Sequence, residues 1–507
     1  MKKRIILLLV LSLMVSLLAM GCTQTPAESG NGGQATGKLP KYVFLFIGDG
    51  MSYPQIQVTN YYMTILNNNN KYPAILESQN NLSFLDFPVT GSAQTYDSSS
   101  FAPDSSSTAT SIATGNKTYS GRLNKDVTGF KSFETIAEKL KDQKDYKIGI
   151  VTSVNINHAT PGAFYAHQNS RSDYYKIGKE LVESGFDYFA GGAFREPVTT
   201  NGTGDLYEMA ANAGYKIVKT QAEAEALKPA DGKVIVIAEH LVAKDMDFVD
   251  AMDYEIDREE GEWGLANYVA KGIEMLDNDN GFFMMVEGGK IDWACHANDA
   301  ATAVNEVMAF DNAVREALKF YNEHPDDTLI IVTGDHETGA FSLGYAGTDY
   351  DTFLNNLTSQ QVSYSTFNSE YVAKYRENNT DLATALADIE ELFGLKVPAN
   401  FGMAKEGSLD LTEYEYNLLV AAYEQTMQFG ADMNANHEQE LLYSKYEPLT
   451  VTVTHILANK CGLNFGSYVH TGLPAAVFAI GAGSELFDGY YDNTDIFYKM
   501  AELTNVK

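Results

Sequence analysis

The sequence predicts an α/β fold built around a large, mostly parallel β-sheet. Four continuous apolar segments support this prediction, because strands buried on both faces have this composition: residues 42–47, 147–152, 282–286 and 329–332. Segments with helical periodicity separate them, and this alternation is typical of parallel sheets. Ligands bind such sheets beyond the carboxyl ends of the strands. The residues that follow each strand are therefore the first candidates for a functional site.

Polar side chains of the kind that bind metal ions follow each of these four strands. They are Asp49 after the first strand, His158 and Thr160 after the second, Glu287 after the third, and Asp335 and His336 after the fourth. Asp49 lies between two glycines, and in isolation that pattern is more typical of a turn than of a ligand. The recurrence at four strand ends indicates a shared metal site at one edge of the sheet.

A helix start after the third strand adds two candidates. Asp292 and His296 are four residues apart, and this spacing places both side chains on one face of a helix, near enough to share one ion. A capped helix with a surface histidine explains this segment equally well on its own. The candidates at the other strand ends favour the metal site.

A candidate nucleophile lies at the start of another predicted helix. The Asp-Ser-Ser-Ser tetrad 104–107 precedes a run of small residues that ends at Gly115. Ser105 would then occupy a helix N-terminus, which favours an anion. Without the metal-type residues, a plain N-cap would be the better interpretation. Arg171 follows the loop after the second strand closely, and its planar guanidinium could hold two phosphate oxygens, although a lone arginine is usually a solvated surface charge.

The chain is strongly acidic. Its 507 residues carry 36 Lys and Arg against 67 Asp and Glu, which gives a formal net charge of −31. Such a surface repels nucleic-acid backbones and anionic lipid, so the sequence predicts no nucleic-acid binding. It would also repel anionic substrates. A phosphate site in this protein therefore needs its own concentrated positive charge.

The first 40 residues predict export. Residues 1–21 read as a signal peptide, because three basic residues precede an apolar run that is short for a membrane span. Cys22 follows as in bacterial lipoproteins and would carry the lipid anchor, the only membrane contact expected. Ordinary cleavage to a periplasmic or extracellular protein is the alternative. Residues 22–40 read as a flexible tether. Cys295 and Cys461 are too few to indicate dependence on disulfides, and the sequence leaves open whether they pair.

The alternation of strands and helices breaks at about residues 344–464. This segment is rich in Tyr, Asn and Glu and mainly helical by pattern, which predicts an insertion that caps the site or lies beside it. The alternation returns with His470, a loop residue, and a last apolar strand at 475–480. The catalytic domain would then span residues 41–507.

Taken together, these motifs resemble the alkaline phosphatase family. The specific ones are, in family order, Gly-Asp-Gly-Met at Asp49, Asp-Ser-Ser-Ser-Thr-Ala-Thr at Ser105, Asn-His-Ala-Thr-Pro at His158, Val-Glu-Gly-Gly-Lys-Ile-Asp at Glu287, Thr-Gly-Asp-His-Glu-Thr-Gly at Asp335 and His-Thr-Gly at His470. The resemblance runs from about residue 42 to about 498 and is weak in the insertion. It implies a three-layer α/β/α sandwich with a large, mostly parallel central sheet and a helical insertion.

The resemblance also implies two zinc ions and one magnesium ion. Their ligands would be Asp292, His296 and His470 for one zinc, Asp49, Asp335 and His336 for the second, and Asp49, Thr160 and Glu287 for magnesium. His and Asp suit zinc, whereas an all-oxygen set suits magnesium. Arg171 matches the arginine that clamps phosphate. His158 and Trp293 occupy positions that vary in the family, so they are placed near the third ion without a ligand role, and the identity of that ion stays open.

The activity implied by the resemblance is hydrolysis of phosphate monoesters to an alcohol and inorganic phosphate, through a phosphoserine on Ser105. The expected substrates are small-molecule phosphate monoesters, and family members are often homodimers. A phosphodiesterase, or another phospho-hydrolase of the same superfamily, is the nearest alternative, because the insertion could shape a larger pocket. A metal- or phosphate-binding lipoprotein without turnover is the other, but it would need no Ser105 beside Arg171.

Overall fold

Fourteen strands are assigned in the computed structural model, which describes residues 39–68, 79–200, 202–242, 250–402, 405–429 and 436–507. The strands are β1 Tyr42–Gly48, β2 Val89–Gln94, β3 Lys147–Asn155, β4 Tyr188–Gly192, β5 Lys216–Val218, β6 Val234–Ile237, β7 Phe282–Gly288, β8 Thr328–Gly334, β9 Glu337–Thr338, β10 Ser342–Leu343, β11 Leu463–Asn464, β12 His470–Thr471, β13 Ala475–Gly481 and β14 Gly489–Asp492. Ten of them form one sheet in the order β14-β2-β13-β8-β1-β7-β3-β4-β6-β5.

Helices connect these strands. The α-helices are Tyr53–Asn67, Ser105–Thr114, Ile136–Lys144, Ala159–Gly162, Tyr174–Ser184, Leu206–Asn212, Gln221–Glu225, Leu265–Leu276, Lys290–His296, Ala300–Glu323, Tyr364–Thr366, Ala373–Asn378, Leu382–Phe393, Glu413–Phe429, His437–Tyr443, Pro448–Lys460 and Thr494–Thr504. Short 3-10 helices lie at Ser83–Asp86, Pro229–Asp231, Leu354–Ser359 and Ser484–Phe487, and a π-helix lies at Phe367–Val372. The predicted α/β architecture is confirmed.

The central strands end at one level. Every residue of β1, β7 and β8 is buried, as expected for strands covered on both faces. In the register, Gly48 at the end of β1 pairs with Gly288 of β7 and with Gly334 of β8. The side chains that follow these three strands therefore emerge side by side at the same edge of the sheet.

Strand β13 brings a residue to this edge from the opposite direction. Among the described strands of the large sheet it alone runs antiparallel, pairing in that sense with both β8 and β2. Its N-terminal end consequently lies where its neighbours have their carboxyl ends. His470, which precedes β13, reaches the shared edge for this reason, and the short pairing of β12 with β9 fixes it there.

Two glycines make a close approach possible at this edge. Gly50 has φ of +71°, and a Cβ built on it would lie 2.8 Å from the Cα of Asp292. A Cβ on Gly334 would lie 1.8 Å from the carbonyl oxygen of Met51. Because a side chain fits at neither position, glycine is required for the turn after β1 to pack against the ends of β7 and β8.

The segment after β10 is the predicted helical insertion. Its described residues form eight helical segments, and the chain returns through β11, which pairs with β10. The buried Asp299, at the start of the helix Ala300–Glu323, connects it to the sheet domain. Its carboxylate accepts hydrogen bonds from Gln360 Nε2 at 2.9 Å and from the backbone N–H of Tyr364 at 2.9 Å. The described residues of this segment are mainly helical.

Several predictions concern other parts of the chain. Residues 1–38, which include the predicted signal peptide, Cys22 and most of the tether, lie outside the described residues. In the described part of the chain, we find no helix with the length and apolar composition needed to cross a membrane. Cys295 and Cys461 are both buried free thiols, so they do not pair with each other.

Candidate active site

The predicted site residues converge at the carboxyl edge of the sheet. The turn after β1 provides Asp49, the loop after β3 provides His158 and Thr160, and the ends of β7 and β8 provide Glu287, Asp335 and His336. The helix Lys290–His296 provides Asp292, Trp293 and His296, and β12 provides His470. Residues separated by more than 400 positions in sequence thus share one site.

A first group of metal-type side chains consists of Asp292, His296 and His470. The carboxylate of Asp292 lies 3.3 Å from His296 Nε2 and 3.5 Å from His470 Nε2, and the two Nε2 atoms are 3.0 Å apart. Each Nδ1 lies 2.6 Å from a backbone carbonyl oxygen, that of Tyr468 for His296 and that of Pro103 for His470. A carbonyl oxygen only accepts hydrogen bonds, so each Nδ1 carries a proton and each Nε2 faces the shared point.

This donor set fits a zinc ion. Two imidazole nitrogens and a carboxylate around one point are a common zinc ligand set, and histidines that bind zinc are commonly oriented by a backbone carbonyl at their other ring nitrogen. In the metal-free chain, a proton can hold the group together, since Asp292 raises the pKa of His296 although burial alone would lower it. A divalent cation would replace that proton.

A second group lies directly beside the first. His336 Nε2 is 3.2 Å from Asp49 Oδ1 and 3.3 Å from Asp335 Oδ2, so the predicted set is brought together. The ligand atoms of Asp49, His336 and Asp292 also lie within 4.8 Å of one another. The rings of His336 and His470 stack with their centroids 3.6 Å apart. Asp292 therefore faces both groups, which the sequence did not predict.

Thr338 connects the two groups. Its hydroxyl donates a hydrogen bond to Asp292 Oδ1 and lies 3.3 Å from Nδ1 of His336. Because this hydroxyl donates to Asp292, its oxygen can accept a hydrogen bond from Nδ1–H of His336, which leaves the unprotonated Nε2 of His336 to face the site. The sequence pattern did not indicate a role for Thr338, although it lies in the same motif as Asp335 and His336.

Oxygen atoms dominate the third predicted group. The Thr160 hydroxyl lies 3.2 Å from Asp49 Oδ2, and Glu287 Oε2 accepts a hydrogen bond from the Thr152 hydroxyl. Within the described residues, Glu287 Oε1 is buried without a hydrogen-bond partner. A buried carboxylate oxygen of this kind is costly unless a cation compensates it, so the group fits a magnesium ion.

The buried carboxylates raise one another's pKa. Burial raises the pKa of Asp49 well above its usual value, and Asp335 and Asp292 raise it further. Burial also raises the pKa of Asp335 to about 8 and that of Glu287 to about 7. Four acids would repel one another in this volume if all were ionised. Asp292 is the exception, because although burial alone would raise its pKa, His296 and His470 hold that pKa well below its usual value. Cations are the straightforward means of keeping Asp49, Asp335 and Glu287 deprotonated at neutral pH.

Ser105 is the first residue of the helix Ser105–Thr114. Asp104 caps this helix by accepting a hydrogen bond from the backbone N–H of Ser107 at 3.1 Å. The Ser105 hydroxyl oxygen lies 3.0 Å from His336 Nε2 and 3.3 Å from Asp49 Oδ1. The candidate nucleophile therefore contacts the second metal group, at the positive end of a helix.

Arg171 lies beside Ser105 because Asp104 binds it. Arg171 Nη1 donates to Asp104 Oδ2 at 2.9 Å. Burial alone would raise the pKa of Asp104, but the guanidinium holds it below its ordinary value. Asp104 thus positions both candidates, since it caps the helix of Ser105 and anchors Arg171.

A cleft of about 290 Å³ opens over this site. It is lined by Ser105, His158, Arg171, Tyr174, Arg195, Asp292, Trp293, His296, Lys445 and His470. His158 and Trp293 pack edge to face with ring centroids 5.6 Å apart. Both residues therefore line the cleft, and His158 Nδ1 is buried without a partner among the described residues.

Three of the lining residues were not predicted: Tyr174, Arg195 and Lys445. The position of Arg195 could have predicted that it reaches the site, since it lies three residues beyond β4, another strand that ends at this edge. Lys445 belongs to the insertion, and nothing in its local sequence indicates that it reaches the cleft. The insertion thus borders the site.

Comparison with known proteins points to the family that the sequence motifs resemble. A family model described as alkaline phosphatase matches residues 40–191 and 195–506. Alkaline phosphatase 4 of Bacillus subtilis (strain 168) is 28% identical to this chain over 466 residues, which cover 89% of this chain and 86% of that protein.

Solved structures agree with the sequence matches. A cold-active alkaline phosphatase from a psychrophilic Shewanella sp. superposes with a TM-score of 0.72 at 26% identity, covering 91% of this chain and 99% of that one. The alkaline phosphatase of Thermus thermophilus shares the fold, with a TM-score of 0.73 at 22% identity and 95% coverage of each chain.

Proposed function

The chain belongs to the alkaline phosphatase family, and on that premise we propose that it hydrolyses phosphate monoesters through a phosphoserine intermediate on Ser105. The products are an alcohol and inorganic phosphate. The proposed site holds two zinc ions and one magnesium ion, and small phosphate monoesters are the substrates. One observation carries the proposal: the Ser105 hydroxyl lies within 3.3 Å of two metal-type side chains, Asp49 and His336, in the cleft that Arg171 also lines.

The ligand sets that support this proposal are those of the three groups. Asp292, His296 and His470 would hold one zinc ion, Asp49, Asp335 and His336 the second, and Asp49, Thr160 and Glu287 the magnesium ion. When bound, these ions would lower the pKa of the attacking hydroxyl, stabilise the leaving oxygen and neutralise the charge of the phosphoryl group. Their combined charge would also offset the acidic surface, which otherwise repels phosphate.

The residues of this chain position the substrate for in-line attack. Arg171 has five N–H donors in a planar fork, and with Nη1 anchored by Asp104 it can present others to two phosphate oxygens. The N-terminus of the helix Ser105–Thr114 adds a positive potential at the same place. Ser105 Oγ loses its proton and forms a bond to phosphorus. The bond from phosphorus to the alcohol oxygen breaks, and that oxygen takes up a proton.

The second half of the reaction restores the serine. A water molecule attacks the phosphorus of the phosphoserine, the Oγ–P bond breaks, and Oγ regains its proton. Asp49 Oδ1, at 3.3 Å, is placed to accept a hydrogen bond from the regenerated hydroxyl. Phosphate-monoester hydrolysis is so slow in water that enzymes accelerate it by up to about 10²¹-fold, and positioning and electrostatic stabilisation provide most of this effect.

Turnover of two chromogenic esters tests the proposal. The purified chain, loaded with zinc and magnesium, should hydrolyse p-nitrophenyl phosphate much faster than bis-p-nitrophenyl phosphate. A chelator should abolish this activity, and added zinc should restore it. Preference for the diester would point to the phosphodiesterase alternative. Metal binding without turnover would show that the protein is a metal-binding protein without catalytic activity.

We also propose that the enzyme is exported and anchored through a lipid on Cys22, with residues 22–40 as its tether. The signal-like residues 1–21 support this proposal. Fractionation of cells that express the full chain tests it. Wild-type protein should sediment with membranes and Cys22→Ala protein should not, and equal partition of the two would refute the anchor.

A further inference from the structure

The cleft over Ser105 contains more positive charge than the proposed reaction uses. Arg171, Arg195 and Lys445 all line it, in a chain whose formal net charge is −31. Arg171 is the proposed phosphate clamp. Arg195 and Lys445 have no role in that reaction, although both face the space that a substrate would fill.

Arg195 is held by a buried asparagine. Asn157 Oδ1 accepts a hydrogen bond from the backbone N–H of Arg195 at 2.8 Å, and Asn157 Nδ2 donates to the carbonyl oxygen of Arg195 at 2.8 Å. The same Nδ2 donates to the carbonyl oxygen of Tyr174 at 2.9 Å. Because Asn157 directly precedes His158, this clamp fixes Arg195 to the loop that carries His158 and Thr160.

Aromatic stacking fixes the guanidinium as well. Its central carbon lies 4.5 Å from the centroid of the Tyr174 ring, a cation–π contact. The Tyr174 ring stacks in turn with His158, with ring centroids 6.4 Å apart and an interplanar angle of 13°. The three side chains form one wall of the cleft, so the charge of Arg195 is preorganised there.

Lys445 borders the cleft from the insertion. It lies between the helices His437–Tyr443 and Pro448–Lys460, and it lines the same cleft as His296 and His470. The cleft volume of about 290 Å³ lies at the small end of ligand pockets, which span roughly 300–1,000 Å³. A ligand group that contacts these cations together with Ser105 therefore lies within a small volume.

We propose that Arg195 and Lys445 form an anion subsite for the leaving group of the substrate. The substrate class is then small phosphate esters whose leaving group carries a second anionic group, a carboxylate or a phosphate, close to the scissile bond. This inference rests on the proposed phosphatase activity. Ser105 Oγ bonds to phosphorus and the ester bond breaks. The leaving group takes up a proton while its own charge stays at the subsite, and one water then releases phosphate.

Phosphoglycolate and phosphoglycolamide, the amide of the same shape without the second charge, test this subsite. Arg195→Gln and Lys445→Gln remove one charge each from two separate elements, so one remains informative if the other fails to fold. Each should lower kcat/KM for phosphoglycolate about tenfold more than for the amide, since hydrogen bonds to charged groups are the stronger ones. Lys176→Gln, at an exposed lysine outside the cleft, should change neither.

Binding to the metal-loaded Ser105→Ala chain provides a second measurement. Calorimetry should show that Arg195→Gln in this background weakens phosphoglycolate about tenfold more than the amide. Pyrophosphate carries a phosphate where phosphoglycolate carries a carboxylate. Whichever of these two compounds loses more affinity in the Arg195→Gln variant carries the preferred anion. Equal effects on the charged and uncharged probes would overturn the subsite. If the wild-type chain turned over none of these compounds, the proposed function would fail, whereas the binding difference would still decide the subsite.

Discussion

The position of one hydroxyl distinguishes Ser105 from the many other serines of this chain. Two Asp-Ser-Ser-Ser tetrads occur, at 97–100 and at 104–107, and only the second opens a helix. In the first tetrad, Asp97 instead closes a turn by accepting hydrogen bonds from the backbone N–H groups of Ser99 and Ser100. The helical pattern after the second tetrad correctly predicted this helix, which begins at the candidate nucleophile Ser105.

Removing this hydroxyl should abolish covalent catalysis and leave the metal groups intact. In Ser105→Ala, the carboxylates and histidines keep their positions, so zinc should bind as in the wild type while turnover of p-nitrophenyl phosphate falls by at least about 10³-fold. Acid quenching followed by mass spectrometry should detect phosphoserine at position 105 only in the wild type. Ser98→Ala, an exposed serine of the other tetrad, is the matched control and should keep full activity. A phosphoserine elsewhere in the chain would contradict the assignment.

The hydroxyl of Thr338 should matter for metal affinity. It contacts both Asp292 and His336 and so orients two candidate ligands. Removing a group that orients metal ligands in this way costs roughly 10–100-fold in metal affinity. Thr338→Val should therefore weaken zinc binding by this factor in competition with a chromogenic chelator.

Thr366→Val is the control for Thr338→Val. The Thr366 hydroxyl donates to Asp257 at 2.9 Å, so this variant also loses a hydrogen bond to a carboxylate, but in the insertion. It should bind zinc normally. Equal affinities in the two variants would show that Thr338 does not position the ligands.

The predictability of each element followed the strength of its pattern. The strands β1, β3, β7 and β8 are continuous apolar runs, and all four were predicted from sequence. The strands β2 and β14, with the sequences Val-Thr-Gly-Ser-Ala-Gln and Gly-Tyr-Tyr-Asp, were missed because neither is an apolar run or a clean alternation. Both lie on the far side of β13, toward the edge of the sheet. Strands there are partly exposed, so they need not be continuously apolar.

The candidate site was predictable wherever a ligand follows its own strand. Local sequence identified Asp49, Glu287 and Asp335 for this reason. His470 precedes its strand, and the family motif alone pointed to it, because the antiparallel direction of β13 cannot be deduced from the pattern of a single strand. Arg195 and Lys445 depend on packing between distant segments, which no local pattern encodes.

The attachment of the insertion depends on Asp299. This buried carboxylate caps the helix Ala300–Glu323 and also accepts hydrogen bonds from Gln360 and Tyr364 of the insertion. Asp299→Ala removes the cap and leaves buried donors unpaired, each worth about 1–3 kcal/mol. The free energy of unfolding in urea should fall by about 3 kcal/mol. Asp381→Ala, at an exposed N-cap within the insertion, should cost clearly less. Equal losses would show that Asp299 acts only as a cap.

Across the whole molecule, the cluster of buried acids predicts a dependence of stability on pH. Burial raises the pKa of Asp335 to about 8 and holds that of Asp49 well above its usual value. In the metal-free chain, the native state keeps protons that the unfolded state has released above about pH 4, so stability falls as pH rises through these folded-state values. Above pH 7, histidines with lowered pKa, such as His336, are neutral in both states. Burial alone would lower the pKa of His167, but hydrogen bonds with Glu138 and Glu180 raise it to about 9, so the contribution of this histidine to stability is also lost over the same range. It lies outside the metal groups and contributes equally with and without metal, so the difference between the metal-free and metal-loaded chains reports the metal site.

Thermal unfolding between pH 7 and pH 9 measures this effect. The Tm of the chelator-treated chain should decrease over this range. The free energy of unfolding should fall by roughly 1.4 kcal/mol per pH unit for each proton that the native state retains. The metal-loaded chain should lose less, because bound cations keep the same carboxylates ionised. A metal-free chain that becomes more stable toward pH 9 would show that these acids are already ionised in the native state.

Residues from distant parts of the chain converge on the proposed metal centre, and anomalous X-ray scattering at the zinc absorption edge would locate the ions among them. We expect two zinc peaks, one bounded by Asp292, His296 and His470 and the other by Asp49, Asp335 and His336, with Ser105 beside the second. A zinc-loaded crystal with no peak at either position, or with its zinc bound by other side chains, would show that these residues do not form the metal centre.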